Sequence, residues 1–430
     1  MVLRLDVREP GFEAAFAALV NDRREAPTDV RDVVADIIAD VRARGDDALV
    51  EITRKFDRID LTETGMRVTR EEIEAAKAAC APEVLDALAL AAERIAAFHA
   101  IQKPEDKEKT DAAGVTAGFR WSAIDAVGLY VPGGLASYPS SVLMNAVPAK
   151  VAGVGRLVMV TPTPDGRLNP LVLAAADLAG VDEIYRIGGA QAVAALAYGT
   201  QTIKPVDKIV GPGNAFVAEA KRQVFGTVGI DMIAGPSEIL VVADGRNNPA
   251  HTAADLLSQA EHDVTAQSIL ITDDAAFADR VVQAVEETIP TLASADIARK
   301  SWDRFGAIIL VESLDDTPPL IDRLAAEHLE LKIENPRALL ARIRHAGSVF
   351  MGRNTPEAIG DYLGGPNHVL PTGRRARFSS GLSVTDFMKR TTYLSCSEEG
   401  LAAIGPAAVH LAEAEGLPAH ALSVAVRLGK

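Results

Sequence analysis

The sequence predicts an α/β fold with two parallel-sheet units, and two observations support this. From residue 126 onward, short apolar runs alternate with helical segments, a spacing that is typical of parallel strands joined by right-handed crossovers. Turns rich in Gly and Pro follow several of these runs, at the carboxyl ends where such sheets bind ligands. The alternation pauses at residues 234–237 and then resumes, which indicates a second α/β unit.

The part of the chain before the first unit is predicted to be mostly helical. Residues 1–27 are expected to form a short arm. An apolar stripe at residues 30–45 ends in glycine, as an amphipathic helix does. Thr69 and Glu72 have the spacing of a capping box, and a Pro-initiated, Ala- and Leu-rich helix is expected at residues 82–99.

The strands of the two units are predicted from their apolar runs. A charged stretch at residues 103–111, expected to be mobile, precedes them. In the first unit the strands are residues 126–131, 156–160, 183–187 and 208–210, with helices from Asn169, at 190–198 and from Asn214. In the second unit they are residues 239–243, 268–272, 307–311 and 348–351. From Ser383 onward we expect a tail with an Ala-rich helix at residues 401–415.

Composition excludes several classes of protein. The chain has 430 residues, of which 48% are hydrophobic and 24% charged, as in a globular enzyme. Its net charge of -15 argues against nucleic acid or an anionic membrane as the main partner. Cys80 and Cys396 match no metal or redox spacing, so we expect reduced thiols. Without a signal-peptide or membrane-span pattern, a cytoplasmic location is expected.

The stretch at residues 256–263 contains a candidate metal-binding pair. Gln259 and His262 are three residues apart after an apolar helical run, and such positions share a helix face. A neutral imidazole is a common ligand that suits zinc. The alternative is that both side chains cap the helix or face water, because two donors are fewer than a zinc site needs.

Three Gly-rich turns lie at predicted strand ends: Gly133-Gly134, Gly188-Gly189 and Gly211-Pro212-Gly213. Such turns let a backbone approach a phosphate and expose helix N-terminal amides to it. None matches the G-x-G-x-x-G fingerprint, and no acidic residue is clearly placed for a ribose. Plain turns and a nucleotide cradle therefore both remain open.

Glu327 and His328 are adjacent, and we expect them at the end of a helix. They offer a water-activating carboxylate and a proton-carrying imidazole; an exposed pair, with His favoured by the helix dipole, is the alternative. Asp361 lies in a Gly-rich loop and is either a turn former or a ligand. His420 is also consistent with a packed or capping histidine. Structural or surface roles are expected for the histidines without suggestive neighbours: His99, His251, His345 and His410.

Eight motifs follow one another from about residue 120 to the C-terminus. They are GLYVPGG (128–134), GGAQA (188–192), KIVGPGN (208–214), AGPSE (234–238), LLSQAEHD (256–263), EHLE (327–330), NHVLPT (367–372) and EGLPAH (415–420). In this order they resemble the histidinol dehydrogenases, which catalyse the last two steps of histidine biosynthesis. The helical first hundred residues fit that family in length but carry no motif.

The resemblance implies a set of site residues. Glu327 and His328 would be the catalytic pair. The ligands of one zinc ion per subunit would be Gln259, His262, Asp361 and His420, with His420 reaching in from the partner of a domain-swapped homodimer. The substrate, L-histidinol, would be bound by the four metal ligands, His328, Ser237, His368 and Glu415. NAD would be contacted by Tyr130, Gln191 and Asn214.

The resemblance also implies two incomplete Rossmann-like domains, one inserted in the other. The first α/β domain, with the zinc and catalytic residues, would comprise residues 28–129 and 237–382. Residues 130–236 would form the inserted NAD-binding domain. The arm at 1–27 and a tail domain at 383–430 would complete the chain. This arrangement agrees with the two α/β units and the tail predicted from the apolar pattern.

The chemistry implied is a four-electron oxidation through L-histidinaldehyde to L-histidine, which consumes two NAD per turnover. Gln, His and Asp donors suit zinc, with positions left for the substrate, so that the metal acts mainly as a template. As a hypothesis, His328 accepts the hydroxyl proton in the first oxidation. Glu327 then activates water to hydrate the aldehyde, and His328 assists the second oxidation. A cysteine thioester is not expected, because Cys80 and Cys396 lie in none of the motifs.

Three other functions compete with this one. A dehydrogenase of the same family that acts on another small diol, such as a sulfonated propanediol, would share zinc, NAD and the Glu-His pair; Glu415, a candidate partner for an ammonium group, favours histidinol. A zinc hydrolase would use the metal and Glu327 but bind no NAD. A zinc-dependent scaffold dimer is disfavoured by the dense polar loop motifs. Resemblance in fold alone does not fix the substrate.

Overall fold

The computed structural model describes residues 2–22, 30–133, 138–233 and 235–429. Pro27, Gly134 and Ala234, which belong to the predicted arm and two of the motifs, lie outside these ranges. The described strands are β1 (Leu3–Asp6), β2 (Lys107–Thr110), β3 (Val115–Ala123), β4 (Ala126–Tyr130), β5 (Arg156–Val160), β6 (Glu183–Tyr185), β7 (Lys208–Val210), β8 (Gly229–Ile230), β9 (Glu238–Ala243), β10 (Gln267–Thr272), β11 (Ala307–Leu310), β12 (His328–Lys332), β13 (Ser348–Met351) and β14 (Met388–Cys396).

The helices connect these strands and cover the sheets. They are α1 (Phe12–Asn21), α2 (Arg31–Arg44), α3 (Asp46–Asp57), α4 (Leu61–Thr64), α5 (Arg70–Ala78), α6 (Pro82–Ala100), α7 (Pro139–Ala152), α8 (Pro170–Leu178), α9 (Gly189–Tyr198), α10 (Ala215–Val224), α11 (Pro249–Ala260), α12 (Ala275–Thr288), α13 (Ala295–Phe305), α14 (Pro318–Leu324), α15 (Pro336–Leu340), α16 (Glu357–Tyr362), α17 (Glu398–Ala414) and α18 (Pro418–Ala425). The mixed α/β class with parallel sheets is confirmed.

The five-stranded sheet has the order β6-β5-β4-β7-β8, and all its described pairs are parallel. Its four predicted strands are confirmed, because their apolar residues are buried on both faces, as in a sheet covered by helices. One face packs on α2, α3, α9 and α10, and the other packs on α6, α7 and α8.

The helical region before this sheet shares its core. Val34, Ile38 and Val41 of α2 pack with the first face, and Leu88 and Ile95 of α6 pack with the second. The sequence-based division placed residues 28–129 with 237–382 instead. The division into domains stays a proposal, and these contacts favour grouping the helices with the five-stranded sheet. The capping box at the start of α5 is confirmed, with both reciprocal hydrogen bonds formed.

The six-stranded sheet has the order β1-β11-β10-β9-β12-β13 and is also parallel. The expected arm at residues 1–27 contributes β1, which pairs with β11 at the edge. Strand β12 was not predicted, and the expectation that Glu327 and His328 end a helix is wrong. Helix α14 ends at Leu324, and His328 begins a strand between β9 and β13.

A third, antiparallel sheet has the order β14-β3-β2. It corrects two expectations. Residues 107–110 of the charged stretch form β2, which pairs with β3 through its backbone. The tail begins with β14, which pairs with β3 along nine residues, before the predicted helix appears as α17. Large apolar side chains of the tail are exposed, among them Leu394, Leu411 and Leu422.

Candidate active site

A cavity of about 320 Å³ brings together residues from both parallel sheets. The turn at residues 211–213, at the carboxyl end of β7, forms one wall. The opposite wall comes from the amino ends of β9 and β12. Ligand binding was expected at carboxyl ends, so the six-stranded sheet departs from that rule. The predicted site residues that line the cavity are Ser237, Gln259, His262, Glu327, His328, Asp361 and His368.

His328 is held in one tautomer by the backbone of β9. Its Nδ1 lies 3.0 Å from the carbonyl oxygen of Glu238, which only accepts, so Nδ1 carries the proton. Nε2 has no hydrogen-bond partner among the described residues and lies 3.8 Å from Oδ1 of Asp361. Burial lowers the pKa of His328 to about 4, so the imidazole is neutral near pH 7 and Nε2 is a proton acceptor.

Glu327 is anchored by the backbone of the same residue, Glu238, through the amide rather than the carbonyl. Its Oε2 accepts a hydrogen bond of 3.0 Å from the amide of Glu238 and lies 3.7 Å from Nδ1 of His328. Both side chains are buried. A carboxylate and an unprotonated imidazole nitrogen therefore face one cavity in a fixed relative orientation, which suits general base chemistry.

Three of the predicted metal ligands lie on the same cavity. Gln259 is on α11 and buried, while His262 follows the end of that helix. The Nε2 of Gln259 lies 3.4 Å from Nδ1 of His262, and its Oε1 has no partner among the described residues. Asp361 lies on α16, so the expectation that it lies in a loop is wrong. A buried amide oxygen without a partner, on the same cavity as a carboxyl group and an imidazole, fits a zinc ion.

A second set of potential ligands overlaps this one. Atoms of His328, Glu357 and Asp361 lie within 4.8 Å of one another. Glu357 was not predicted as a site residue, although it precedes Asp361 by one helical turn and so shares its face. The Oε1 of Glu357 is 3.5 Å from Nδ1 of His328. Burial raises the pKa of this carboxyl group well above its ordinary value.

Glu415 and His420 lie elsewhere in the chain. They border a groove on the tail, between α17 and α18, together with Leu411 and Ser423. The single chain therefore does not bring these two residues to the cavity. Their predicted contribution to the site depends on a partner subunit and stays a prediction.

The residues predicted to contact NAD lie at the carboxyl end of the five-stranded sheet. The hydroxyl of Tyr130 accepts a hydrogen bond of 3.0 Å from the amide of Gly189, and burial raises the pKa of Tyr130 to about 12. Gln191 is buried on α9. The side chain of Asn214 caps α10 by accepting from two of its amides. The hydroxyl of Tyr130 and the side-chain oxygen of Asn214 are thus already engaged in hydrogen bonds within the protein.

One glycine in each of the three turns, Gly133, Gly188 or Gly211, is explained by packing between neighbouring strand ends. A Cβ on Gly133 would lie 2.0 Å from the carbonyl oxygen of Pro162, and one on Gly188 would lie 2.3 Å from its Cβ. Gly211 has a φ of +112°, and a Cβ there would meet the carbonyl oxygen of Tyr130 at 2.1 Å. These positions require glycine for structural reasons, with or without a bound nucleotide.

A buried ion pair that the sequence did not reveal supports the cavity wall. Lys221 of α10 pairs with Asp231 and donates to the carbonyl oxygens of Gly211 and Met232. Asp231 in turn accepts from the amide of Gly211. No spacing rule links these residues, because the lysine lies on helix α10 and its partner follows strand β8.

Comparison with known proteins decides the family. The family model described as histidinol dehydrogenase matches residues 20–428. A histidinol dehydrogenase of Rhodospirillum rubrum is 66% identical over 431 residues, which cover 100% of this chain and 99% of that protein. One from Zymomonas mobilis is 64% identical, with 100% of both chains covered.

The chain belongs to the histidinol dehydrogenase family.

The fold agrees with this membership. The crystal structure of histidinol dehydrogenase from Elizabethkingia anophelis matches with a TM-score of 0.95 and 38% identity, covering 100% of this chain and 98% of that one. The resemblance drawn from the eight motifs is therefore confirmed. Histidinol dehydrogenases are oxidoreductases, and within the described residues this member has no helix long and apolar enough to cross a membrane.

Proposed function

We propose that this chain oxidises L-histidinol through L-histidinaldehyde to L-histidine, using zinc and NAD, in the last two steps of histidine biosynthesis. One observation carries the proposal. The cavity unites the catalytic pair Glu327 and His328 with Gln259, His262 and Asp361, although these residues come from three separate parts of the chain. The family membership supports the same substrate.

The zinc would be held by Gln259, His262 and Asp361, with His420 of the partner subunit as the fourth protein ligand. The unpartnered Oε1 of Gln259 supports this assignment. When bound, the zinc supplies a Lewis acid and a template that orients the imidazole and amino groups of the substrate. The remaining substrate contacts are proposed for Ser237 and His368 on the cavity wall, and for Glu415 of the partner subunit.

His328 is proposed to accept the proton of the substrate hydroxyl at Nε2. The hydrogen bond from Nδ1 to the Glu238 carbonyl fixes the ring so that Nε2 faces the cavity. The neighbouring carboxylate of Asp361, 3.8 Å away, would stabilise the imidazolium that forms. The lowered pKa of His328 keeps the ring available as a base near neutral pH before each oxidation.

Glu327 is proposed to activate the water that hydrates the aldehyde. Its Oε2 is held by the Glu238 amide, which fixes the carboxyl group at the cavity, where it would take a proton from water. Because the carboxylate and imidazole are both held by the backbone of Glu238, they keep their relative position while the substrate changes from alcohol to aldehyde. A fixed geometry of this kind serves two successive reactions in one cavity.

NAD is proposed to bind at the carboxyl end of the five-stranded sheet, with Tyr130, Gln191 and Asn214 in contact. This edge adjoins the cavity through the turn at residues 211–213. The cofactor supplies the hydride acceptor in both oxidations. The protein positions the turn at residues 211–213 through Asp231, which pairs with Lys221 and accepts a hydrogen bond from the amide of Gly211.

A homodimer with exchanged tails is proposed to complete the site. The tail exposes apolar side chains on α17 and α18, including Leu411 and Leu422, and a large exposed apolar surface is typical of an interface. The groove that contains Glu415 and His420 lies on the same helices. We further propose a cytoplasmic location. For the domains, we propose that residues 130–236 bind NAD and residues 237–382 carry zinc and catalysis, with residues 28–129 moved from the second group to the first because their helices pack on the five-stranded sheet.

The proposal is tested by measuring NADH formation with purified protein. Two NADH per L-histidinol, lost after chelation and restored by zinc, are expected. NADH formation from a sulfonated propanediol but not from histidinol would show that the substrate is another small diol, with the proposed zinc, NAD and catalytic residues unchanged. No NADH from any alcohol would overturn the dehydrogenase function and favour a zinc hydrolase, which needs no NAD.

A further inference from the structure

A buried row of charged side chains continues the candidate active site beneath the six-stranded sheet. Along β12, His328, Glu330 and Lys332 face one side, because alternate residues of a strand share a face. Leu329 and Leu331 face the other and belong to an apolar core. Glu330 is fully buried and Lys332 is 2% exposed, although a parallel strand at this position is ordinarily apolar.

The helices on this face repeat the pattern at helical spacing. Asp255 lies one turn before Gln259 on α11, and Glu357 lies one turn before Asp361 on α16. Residues four apart on a helix are neighbours on one face. Strand β12, helix α11 and helix α16 therefore each carry a site residue and, next to it on the same face, a charged residue.

These charged residues are in direct contact with one another. Lys332 pairs with Asp255, and its Nζ lies 3.2 Å from Oε2 of Glu330. The Oε1 of Glu330 accepts a hydrogen bond of 2.8 Å from the backbone amide of Glu357, at the first residue of α16. The lysine thus joins α11 to β12, and Glu330 joins β12 to α16.

Such a cluster is not explained by stability. Burying charged groups costs several kcal/mol per ion, and replacing a buried ion pair by apolar residues of similar volume is often neutral or stabilising. Its contacts are directional, however, and they set the distance between two helices. The helices concerned carry Gln259 and Asp361, two of the residues that would hold one zinc ion.

We propose that Lys332, Asp255 and Glu330 are positioning residues that pre-arrange Gln259 and Asp361 for zinc. The inference rests on the proposed zinc site. Without the cluster, the first amide of α16 loses its acceptor, Glu330, and α11 loses the ion pair that connects Asp255 to Lys332 of β12. Metal binding must then first restore the distance between the two helices. Residues that orient metal ligands in this way typically change metal affinity by about 10- to 100-fold when they are replaced.

The test measures zinc affinity by competition with a chromogenic chelator, which requires no turnover. The first variant replaces all three charges together, Asp255→Asn, Glu330→Met and Lys332→Met, so that both links are removed and no charge of the cluster is left unpaired. A loss of zinc affinity of about 10-fold or more is expected. Leu331→Ala is the matched control, because it destabilises the same strand from the opposite face; its zinc affinity should equal that of the wild type.

A pair of single variants keeps the test decisive if the triple variant does not fold. Glu330→Gln retains an oxygen for the amide of Glu357, whereas Glu330→Met does not. Glu330→Met should bind zinc more weakly than Glu330→Gln by about 10-fold. Equal affinities in this pair, or a folded triple variant that binds zinc like the wild type, would overturn the inference alone. A wild-type protein that binds no zinc would overturn the proposed metal site and this inference with it.

Discussion

The Nδ1 of His328 and the carbonyl oxygen of Glu238 lie 3.0 Å apart, and this contact decides which ring nitrogen reacts. A carbonyl oxygen accepts only, so Nδ1 donates and Nε2 keeps its lone pair. The backbone amide of the same residue, Glu238, donates to Glu327. One residue of β9, held rigid in the sheet, therefore orients both members of the proposed catalytic pair.

Replacing His328 with Gln should lower kcat by about 100- to 10,000-fold, the usual contribution of a general base. The KM for histidinol should change much less, because other residues hold most of the substrate. Steady-state rates of NADH formation measure both quantities. His251→Gln, at an exposed position of α11, is the control and should behave like the wild type. A similar loss in the control would indicate damage to the fold.

Replacing Glu327 with Gln should slow the aldehyde oxidation more than the alcohol oxidation. The Gln oxygen still accepts from the Glu238 amide, so the geometry is kept, but the side chain no longer takes a proton from water. Rates with histidinol in a single turnover and with histidinaldehyde supplied directly separate the two steps. Equal losses in both steps would contradict the proposed division of labour between Glu327 and His328.

Mixing two inactive variants should restore activity if the site is shared between subunits. His262→Asn and His420→Asn each remove a proposed zinc ligand. A mixed dimer of the two contains one site with both replacements and one with neither, so random re-association should recover about a quarter of wild-type activity. NADH formation after joint refolding measures this. No recovery would place His262 and His420 in the same subunit's site or leave His420 outside it.

The elements that the sequence predicted correctly are those with a strong local signal. Helix α2 follows its apolar stripe, and the capping box at Thr69 forms as its spacing indicates. Strand β12 also carries a local signal, since polar and Leu residues alternate strictly from His328 to Lys332. The prediction of a helix end at Glu327 and His328 is nevertheless wrong, and the structure buries every residue of the strand. Strand β2 has no apolar residue at all, and only pairing with β3 forms it.

The candidate site depended on long-range contacts that spacing does not encode. Spacing placed Gln259 near His262, but the approach of Asp361 and His328 requires the order of the sheet. The motifs supplied that link through the family. They gave no role to Glu330, which ends the EHLE motif, or to Lys332, which lies in none, because a charged residue in an isolated sequence gives no sign of whether it is solvated or buried against a partner.

Replacing Gly133 with Ala should destabilise the protein even without a nucleotide. The added Cβ would lie 2.0 Å from a backbone oxygen of Pro162, and relieving such overlap costs about 1–3 kcal/mol. Thermal unfolding of the protein alone measures the effect. Gly11→Ala is the control, because a Cβ there meets no atom within 4 Å. Unchanged stability together with weaker NAD binding would favour a nucleotide cradle over packing as the reason for this glycine.

Replacing Asp177 with Asn should destabilise the protein in a pH-dependent way. Burial alone would raise the pKa of Asp177, but donation from Lys77 and Arg70 of α5 lowers it below its ordinary value. Because the folded pKa is depressed, the stabilisation is present above the unfolded pKa and is lost as pH falls through the folded pKa. We therefore expect a loss of about 1 kcal/mol at pH 7 that vanishes in acid. Urea unfolding across this pH range measures it, with the exposed Asp315→Asn as an unaffected control. A difference that is independent of pH would show that the ion pair is not its cause.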